Sequence, residues 1–394
     1  MSYFVYHARA QGESHRTTQP PKPCQDYAYS FYHNGTGLIA AADGHGSGRY
    51  FRSDRGSKFA VESVIQCVAQ FLNGANKNDL CAQLFDAARQ SDLLPKLIKS
   101  IVSEWHSKVA KDIEANPFSE EEYAEVPEKY RARYENGEEP EKAYGTTLLA
   151  VLQKEDQFWL GLHIGDGRCV TIDRQGRYSQ PIPWDERCFL NKTTSLCDED
   201  AANEFRFRLL EGDQIPLATF VASDGIDDCF GHANDFEQLY QNFYANLAKL
   251  FISKPIKKAK KELRDYLPIL SGKGSRDDMS IALLMDREAL RDVIREQEIA
   301  AAAEVDTAID AVAEETDKNG TDELPPQEMT EATDAEDTEE EAACDENAIP
   351  ADIVEILRKA SSPESHTAET KFKKLGTKIK TFFGQITADR KQKE

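Results

Sequence analysis

Four short loops place an aspartate and a glycine beside an apolar run. They are Ala42-Asp43-Gly44-His45-Gly46, Ile164-Gly165-Asp166-Gly167-Arg168, Ala222-Ser223-Asp224-Gly225-Ile226-Asp227-Asp228 and Gly274-Ser275-Arg276-Asp277-Asp278-Met279. A fifth acid, Asp26, follows Cys24-Gln25 and opens another such run. One Asp-Gly turn alone is ordinarily a solvated loop. Several carboxylates gathered in one place repel one another and lose hydration unless a cation neutralises them. Ligands that are all oxygen, without a clustered Cys/His set, favour Mg²⁺ or Mn²⁺ over Zn²⁺. His45, between two glycines and close to Asp43, supplies a proton-transfer group. The glycines let backbone carbonyls approach an ion closely.

Positioning these loops falls to the flanking apolar runs. Strands are expected at Tyr3 to Ala8, Tyr27 to Tyr32, Gly37 to Ala42, Thr146 to Leu152, Gln157 to Ile164, Arg168 to Asp173, Leu217 to Ala222 and Met279 to Met285. Lys154-Glu155-Asp156 and Gly165-Asp166-Gly167 read as hairpin loops. Helical periodicity covers Ser53 to Leu72, Asp79 to Ser91, Leu94 to Ile113, Asp235 to Phe251 and Lys257 to Leu267. Hairpin-paired strands with helices inserted in groups imply an α+β fold, antiparallel sheets covered by helices. The polar stretch Glu114 to Lys142 reads as an insertion or flexible surface segment.

Charge divides the 394 residues unevenly. Residues 301–350 hold 18 acids against one lysine, and 351–394 hold six acids against ten Lys/Arg. The acidic block has almost no aromatics and cannot offset its ordering entropy, so a disordered linker is expected over 287–350. Within the basic segment 351–394, Phe372, Leu375, Ile379, Phe382 or Phe383, and Ile386 fall at helical spacing among lysines, as in an amphipathic helix for a membrane or a partner. The net charge of -22 argues against nucleic-acid or anionic-membrane binding by the chain as a whole. Eight cysteines without a CxxC pair suit reduced thiols in a cytoplasmic setting. Neither a secretory signal nor a membrane-spanning run is expected. No cysteine stands six before an arginine, and no GxxxxGK[ST] loop occurs, so thiol-phosphatase and P-loop chemistry are excluded. An EF-hand fails too, because His45 replaces an oxygen ligand and Asp54 the bidentate Glu.

The order and identity of these residues resemble the metal-dependent serine/threonine protein phosphatases of the 2C family. Asp43-Gly44-His45-Gly46 is similar to the family's DGHG, Tyr144-Gly145-Thr146-Thr147 to its GTT strand, and Gly165-Asp166-Gly167-Arg168 to its GDSR. Ser223 to Asp228 is similar to SDG-x-x-D, and Ser275 to Ser280 to S-x-DN-x-[TS]. The resemblance implies a catalytic domain over 1–286, two central antiparallel sheets forming a sandwich flanked by helices. It implies two Mn²⁺ or Mg²⁺ ions held by Asp43, the Gly44 carbonyl, Asp224 and Asp277. Asp166 and Asp228 would hold a third. Gln25 and Asp26 lie behind the metals and their water, and His45 is the general acid beside a hydroxide bridging the ions. Phosphoserine and phosphothreonine proteins would be substrates of a monomeric catalytic domain, with a companion kinase as a partner the tail could tether. Three departures stand out: Gln25 brings no charge, Asp278 replaces the usual Asn, and the family's upstream phosphate-binding Arg is absent, leaving Lys22 and Arg16 as stand-ins. They motivate the alternative, a non-catalytic regulator or scaffold of the same fold.

Overall fold

The computed structural model describes residues 3–74, 80–189, 192–230, 236–300 and 349–361. Its strands are β1 (Phe4–Ala10), β2 (Tyr27–His33), β3 (Thr36–Ala42), β4 (Leu148–Lys154), β5 (Phe158–Ile164), β6 (Arg168–Ile172), β7 (Tyr178–Ser179), β8 (Arg206–Leu210), β9 (Ala218–Ala222) and β10 (Met279–Met285). They form two five-stranded sheets, ordered β1-β10-β9-β6-β7 and β2-β3-β4-β5-β8. Every pairing between these strands is antiparallel.

The central strands are apolar without alternation because both their faces are covered. From β3 and β4, Ile39, Ala41, Leu149 and Val151 point into the layer between the sheets, where they meet Val221, Ala282 and Leu284. Their neighbours Leu38, Ala40, Leu148, Ala150 and Leu152 point outward, under the helices Ser53–Gly74 and Ala87–Ala115. The other sheet is covered by Phe236–Ser253, Ile256–Lys273 and a helix over 287–300. Each buried Leu, Ile or Val contributes about 1.5–3 kcal/mol. A buried hydrogen bond of 3.0 Å from Trp159 Nε1 to Thr219 Oγ1 ties one sheet to the other.

Three features differ from the sequence expectation. Residues 114–142 are folded: Glu120–Glu125 starts with a capping box of Ser119 and Glu122, Glu128–Glu135 follows, and Tyr134 is buried. The buried guanidinium of Arg52 binds Glu122, Tyr144 and the carbonyls of Asn116 and Pro117, which anchors the segment. Ordered chain also continues past the boundary expected at residue 286, because Leu290 and Ile294 of the helix over 287–300 are buried. Finally, the helix Ala351–Ser361 packs along Ser53–Gly74 through Ile353, Leu357 and Ala360, at positions i, i+4 and i+7 of one face. The acidic block 301–348 and the helix expected at Phe372 to Ile386 lie outside the described residues. Among the described residues no helix is long and apolar enough to cross a membrane.

Candidate metal centre

Strand register gathers the acids. Tyr27 pairs with Ala42, and Ala222 pairs with both Ile281 and Arg168. Asp26, Asp43, Asp166, Asp224 and Asp277 therefore leave the sheets at one end. The Gly145-Thr146-Thr147 segment fixes the first loop. The Asp43 amide donates to Thr147 Oγ1 (3.0 Å), and the Asp43 carbonyl accepts from the Thr147 amide (2.8 Å) and Thr146 Oγ1 (2.8 Å). Gly44 must be glycine, since a Cβ there would lie 2.6 Å from the carbonyl oxygens of Gln25 and Ser53. Ser53 Oγ donates to the His45 carbonyl (3.0 Å) and accepts from Gln25 Nε2 (2.6 Å), so the start of the helix Ser53–Gly74 braces the loop.

Each of these carboxylates feels the charge of its neighbours. Burial, then Asp224, Asp26 and Asp277, push Asp43 well above the usual carboxylate range. The interaction between the Asp43 and Asp224 side chains raises Asp43 and lowers Asp224. Asp224 is raised to about 7, by burial first and then by Asp166, Asp228 and Asp277. Asp26 is raised by burial and Asp278, against a hydrogen bond from Ser223. Asp166 is raised by burial and Asp228, against Thr193 and Arg168. Asp277 is raised by burial and by Asp278, against the Asp278 amide and His15.

Among the described residues no group of three or more His, Cys, Asp and Glu is already drawn into ion-holding geometry. The donor set nevertheless fits a hard cation. It is all oxygen, its members destabilise one another's charge, and the buried Asp26 Oδ2 and Gln25 Oε1 have no hydrogen-bond partner. A divalent ion would relieve that repulsion.

Other expected residues take different places. His45 is pinned between the Tyr50 ring (centroids 4.7 Å apart) and Gly145, and its Nε2 lies 2.8 Å from Ser195 Oγ. Burial lowers its pKa to about 4, with Asp198 and Lys142 as the charges acting on it. The ring is therefore neutral at pH 7. Asp278 accepts from the amides of Gly12 and Gln25 (both 2.6 Å) and pairs with His15 Nδ1 (2.9 Å), so it moors the loop before β2. Arg16 is tied to Glu13, and Lys22 acts on His15. Asp228 is exposed and acts on Asp166 and Asp224, whereas the buried Asp227 pairs with Arg168. Sequence reasoning missed Ser195, His15 and Tyr50, since none sits in a recognisable pattern and each is brought in by tertiary contact alone.

The family model described as Protein phosphatase 2C matches residues 11–268. No match is found among curated proteins. Among solved structures, the Mycobacterium tuberculosis serine/threonine phosphatase PstP/Ppp is 15% identical, covers 72% of this chain and 99% of its own, and has a TM-score of 0.40. PppA, a regulatory component of T6SS in Pseudomonas aeruginosa, is 13% identical over 72% and 98%, with a TM-score of 0.43. A C. elegans sex determining protein is 14% identical over 74% and 67%, with a TM-score of 0.44.

Proposed function

The chain belongs to the protein phosphatase 2C family and is a protein serine/threonine phosphatase, and on that premise we propose how its residues divide the work. Asp43, Asp224, Asp277 and the Gly44 carbonyl would hold a pair of Mn²⁺ or Mg²⁺ ions. Asp166 and Asp228 would hold a third, with Gln25 and Asp26 behind them. When bound, such ions activate water and offset charge on the phosphoryl oxygens.

The protein's own contribution is orientation. Thr146, Thr147 and Ser53 hold the Asp43-Gly44-His45 backbone from two sides, which fixes the position of that loop. His45 would act as general acid in its imidazolium form, which a substrate phosphate's negative charge favours, giving one proton to the departing seryl or threonyl oxygen and returning to the neutral ring, a step worth roughly 10²–10⁴-fold. Lys22 is the cation we assign to the phosphate, and Arg16 could join it by leaving Glu13. The observation that carries this reading is that strand register brings Asp26, Asp43, Asp166, Asp224 and Asp277 to one end of the sheets and leaves the buried Asp26 Oδ2 and Gln25 Oε1 without a hydrogen-bond partner, where each acid is raised by burial and by its neighbours. It also weighs against the scaffold alternative, since a scaffold has no use for strained acids.

The test is phosphate release from phosphoserine peptides with and without Mn²⁺, for wild type beside Asp43→Ala and Asp224→Ala. Metal-dependent release lost in both variants supports the reading, and no release by the wild type refutes it.

A further inference from the structure

The geometry points to Arg206 as a positioning residue for Asp166, one that ties the loop carrying this acid to the chain around Pro183-Trp184-Asp185 and Thr193-Thr194. Arg206 opens the edge strand β8, and its partner across the ladder is His163, two residues before Gly165. Its guanidinium reaches past the end of β5. Nη2 donates to the Gly165 carbonyl (2.5 Å) and Nη1 to the Pro183 carbonyl (2.8 Å), while Nε faces Asp185 Oδ2 at 3.6 Å. Arginine suits the place, because one planar fork donates in two directions at once.

Gly165 is held through its amide as well. That amide donates to Thr194 Oγ1 (2.9 Å), whose own hydrogen goes to Asp185 Oδ2 (3.2 Å). Asp185 is buried and is matched by Arg187 through Nε (2.8 Å) and Nη2 (2.9 Å), so it serves as a fixed anchor. On another side Gly165 lies against Thr147, the residue that receives the Asp43 amide. A Cβ there would stand 2.4 Å from Thr147 Cβ, and the φ of +109° is one that glycine tolerates. Thr193, next to Thr194, hydrogen-bonds Asp166 itself. With the preceding residue pinned by Arg206, Thr194 and Thr147, Asp166 has little freedom to turn away from the other acids. Partners behind a ligand commonly decide how tightly it holds a metal.

This inference rests on the assignment of Asp166 to a third ion, so the experiment has two arms on the full-length chain, one of them free of metal. Of the three tryptophans, Trp105 and Trp159 are fully buried and Trp184 is 43% exposed, so acrylamide quenching of fluorescence reports Trp184. Arg168, two residues after Asp166, stacks on the Trp184 ring at 3.9 Å, so this ring senses both of the joined segments. In the metal-free protein Arg206→Met and Thr194→Val should each raise the quenching constant on the order of twofold, by local opening. Arg208→Met, on an exposed side chain of the same strand, should leave it unchanged. A constant unchanged in both Arg206→Met and Thr194→Val overturns the proposal. In the second arm Mn²⁺ uptake is followed by calorimetry. Wild type should bind a weaker ion beside a tighter pair, and Asp166→Asn should lose the weaker one. Arg206→Met should weaken it roughly ten- to hundredfold and leave the tighter pair within about threefold. Equal weakening of every ion, or of none, would mean that Arg206 only supports the fold, and would overturn its role toward Asp166. If the wild type binds the tighter pair alone, the third-ion reading falls while the quenching result still decides whether Arg206 ties the two segments.

Discussion

Asp43 and Arg52 lie nine residues apart, at the two ends of one loop, and bury charge in opposite ways. Arg52 is neutralised within the fold. Its guanidinium meets Glu122 with two oxygens (2.6 and 2.8 Å), Tyr144 Oη (2.8 Å) and two backbone carbonyls, and lies over the Phe118 ring. Burial pushes Glu122 up, but Arg52 and the Ser119 amide pull it below the usual range. Asp112 likewise ends low, through Tyr144 and Arg55. Around Asp43 the acids face one another instead, and their pKa values rise. A buried charge matched inside the chain is architecture, whereas one left unmatched marks where something cationic must come from outside.

That contrast can be broken by substitution. Asp43→Asn should cut metal-dependent turnover roughly a thousandfold or more, since several kcal/mol of charge stabilisation go with it. The same change should raise the melting temperature of the metal-free protein by about 2–4 °C, because it removes repulsion. Arg52→Met should do the reverse, costing about 3 kcal/mol in denaturant titration by stranding partly buried acids. Leu357→Ala, on the docked helix, should cost about 2–3 kcal/mol by emptying a fully buried site, read by the same titration.

The same contrast should show in pH dependence. Asp224 is raised to about 7 in the fold, whereas an unfolded aspartate titrates near about 4. Metal-free stability should therefore fall as pH rises from about 4 to 7, and saturating Mn²⁺ should remove the fall. Glu122 and Asp112, with depressed pKa values, add stability at neutral pH that is lost only as pH drops below the ordinary carboxylate range. Melting curves across pH for wild type and Asp224→Asn check both signs, and the fall should be smaller in the variant.

The acid loops were legible because each flanks a strand buried on both faces, such as Leu38 to Ala42, whose unbroken apolar run shows where the acid begins. The Arg52 node was not, because Arg52, Asp112, Glu122 and Tyr144 are scattered and meet only in three dimensions. One local signal was available there: Ser119-Glu120-Glu121-Glu122 is a capping-box pattern inside a stretch read as flexible. Strand β8 escaped notice because Arg206, Phe207 and Arg208 hide its apolar end, as suits the edge of a sheet. The helix Ala351–Ser361 carries a periodic signal, with Ile353, Leu357 and Ala360 on one face, but it is short and follows a long acidic block, and its packing against Ser53–Gly74 supplies the rest.

The most direct test of the metal centre is calorimetric titration of Mn²⁺ into the metal-free chain, for wild type, Asp43→Asn and Asp224→Asn. Acids that hold protons in place of ions should bind the metal with release of those protons, seen as heats that differ between buffers, and both substitutions should weaken or abolish the binding. A wild type that takes up no Mn²⁺, or variants that bind it as tightly as the wild type, would contradict the account.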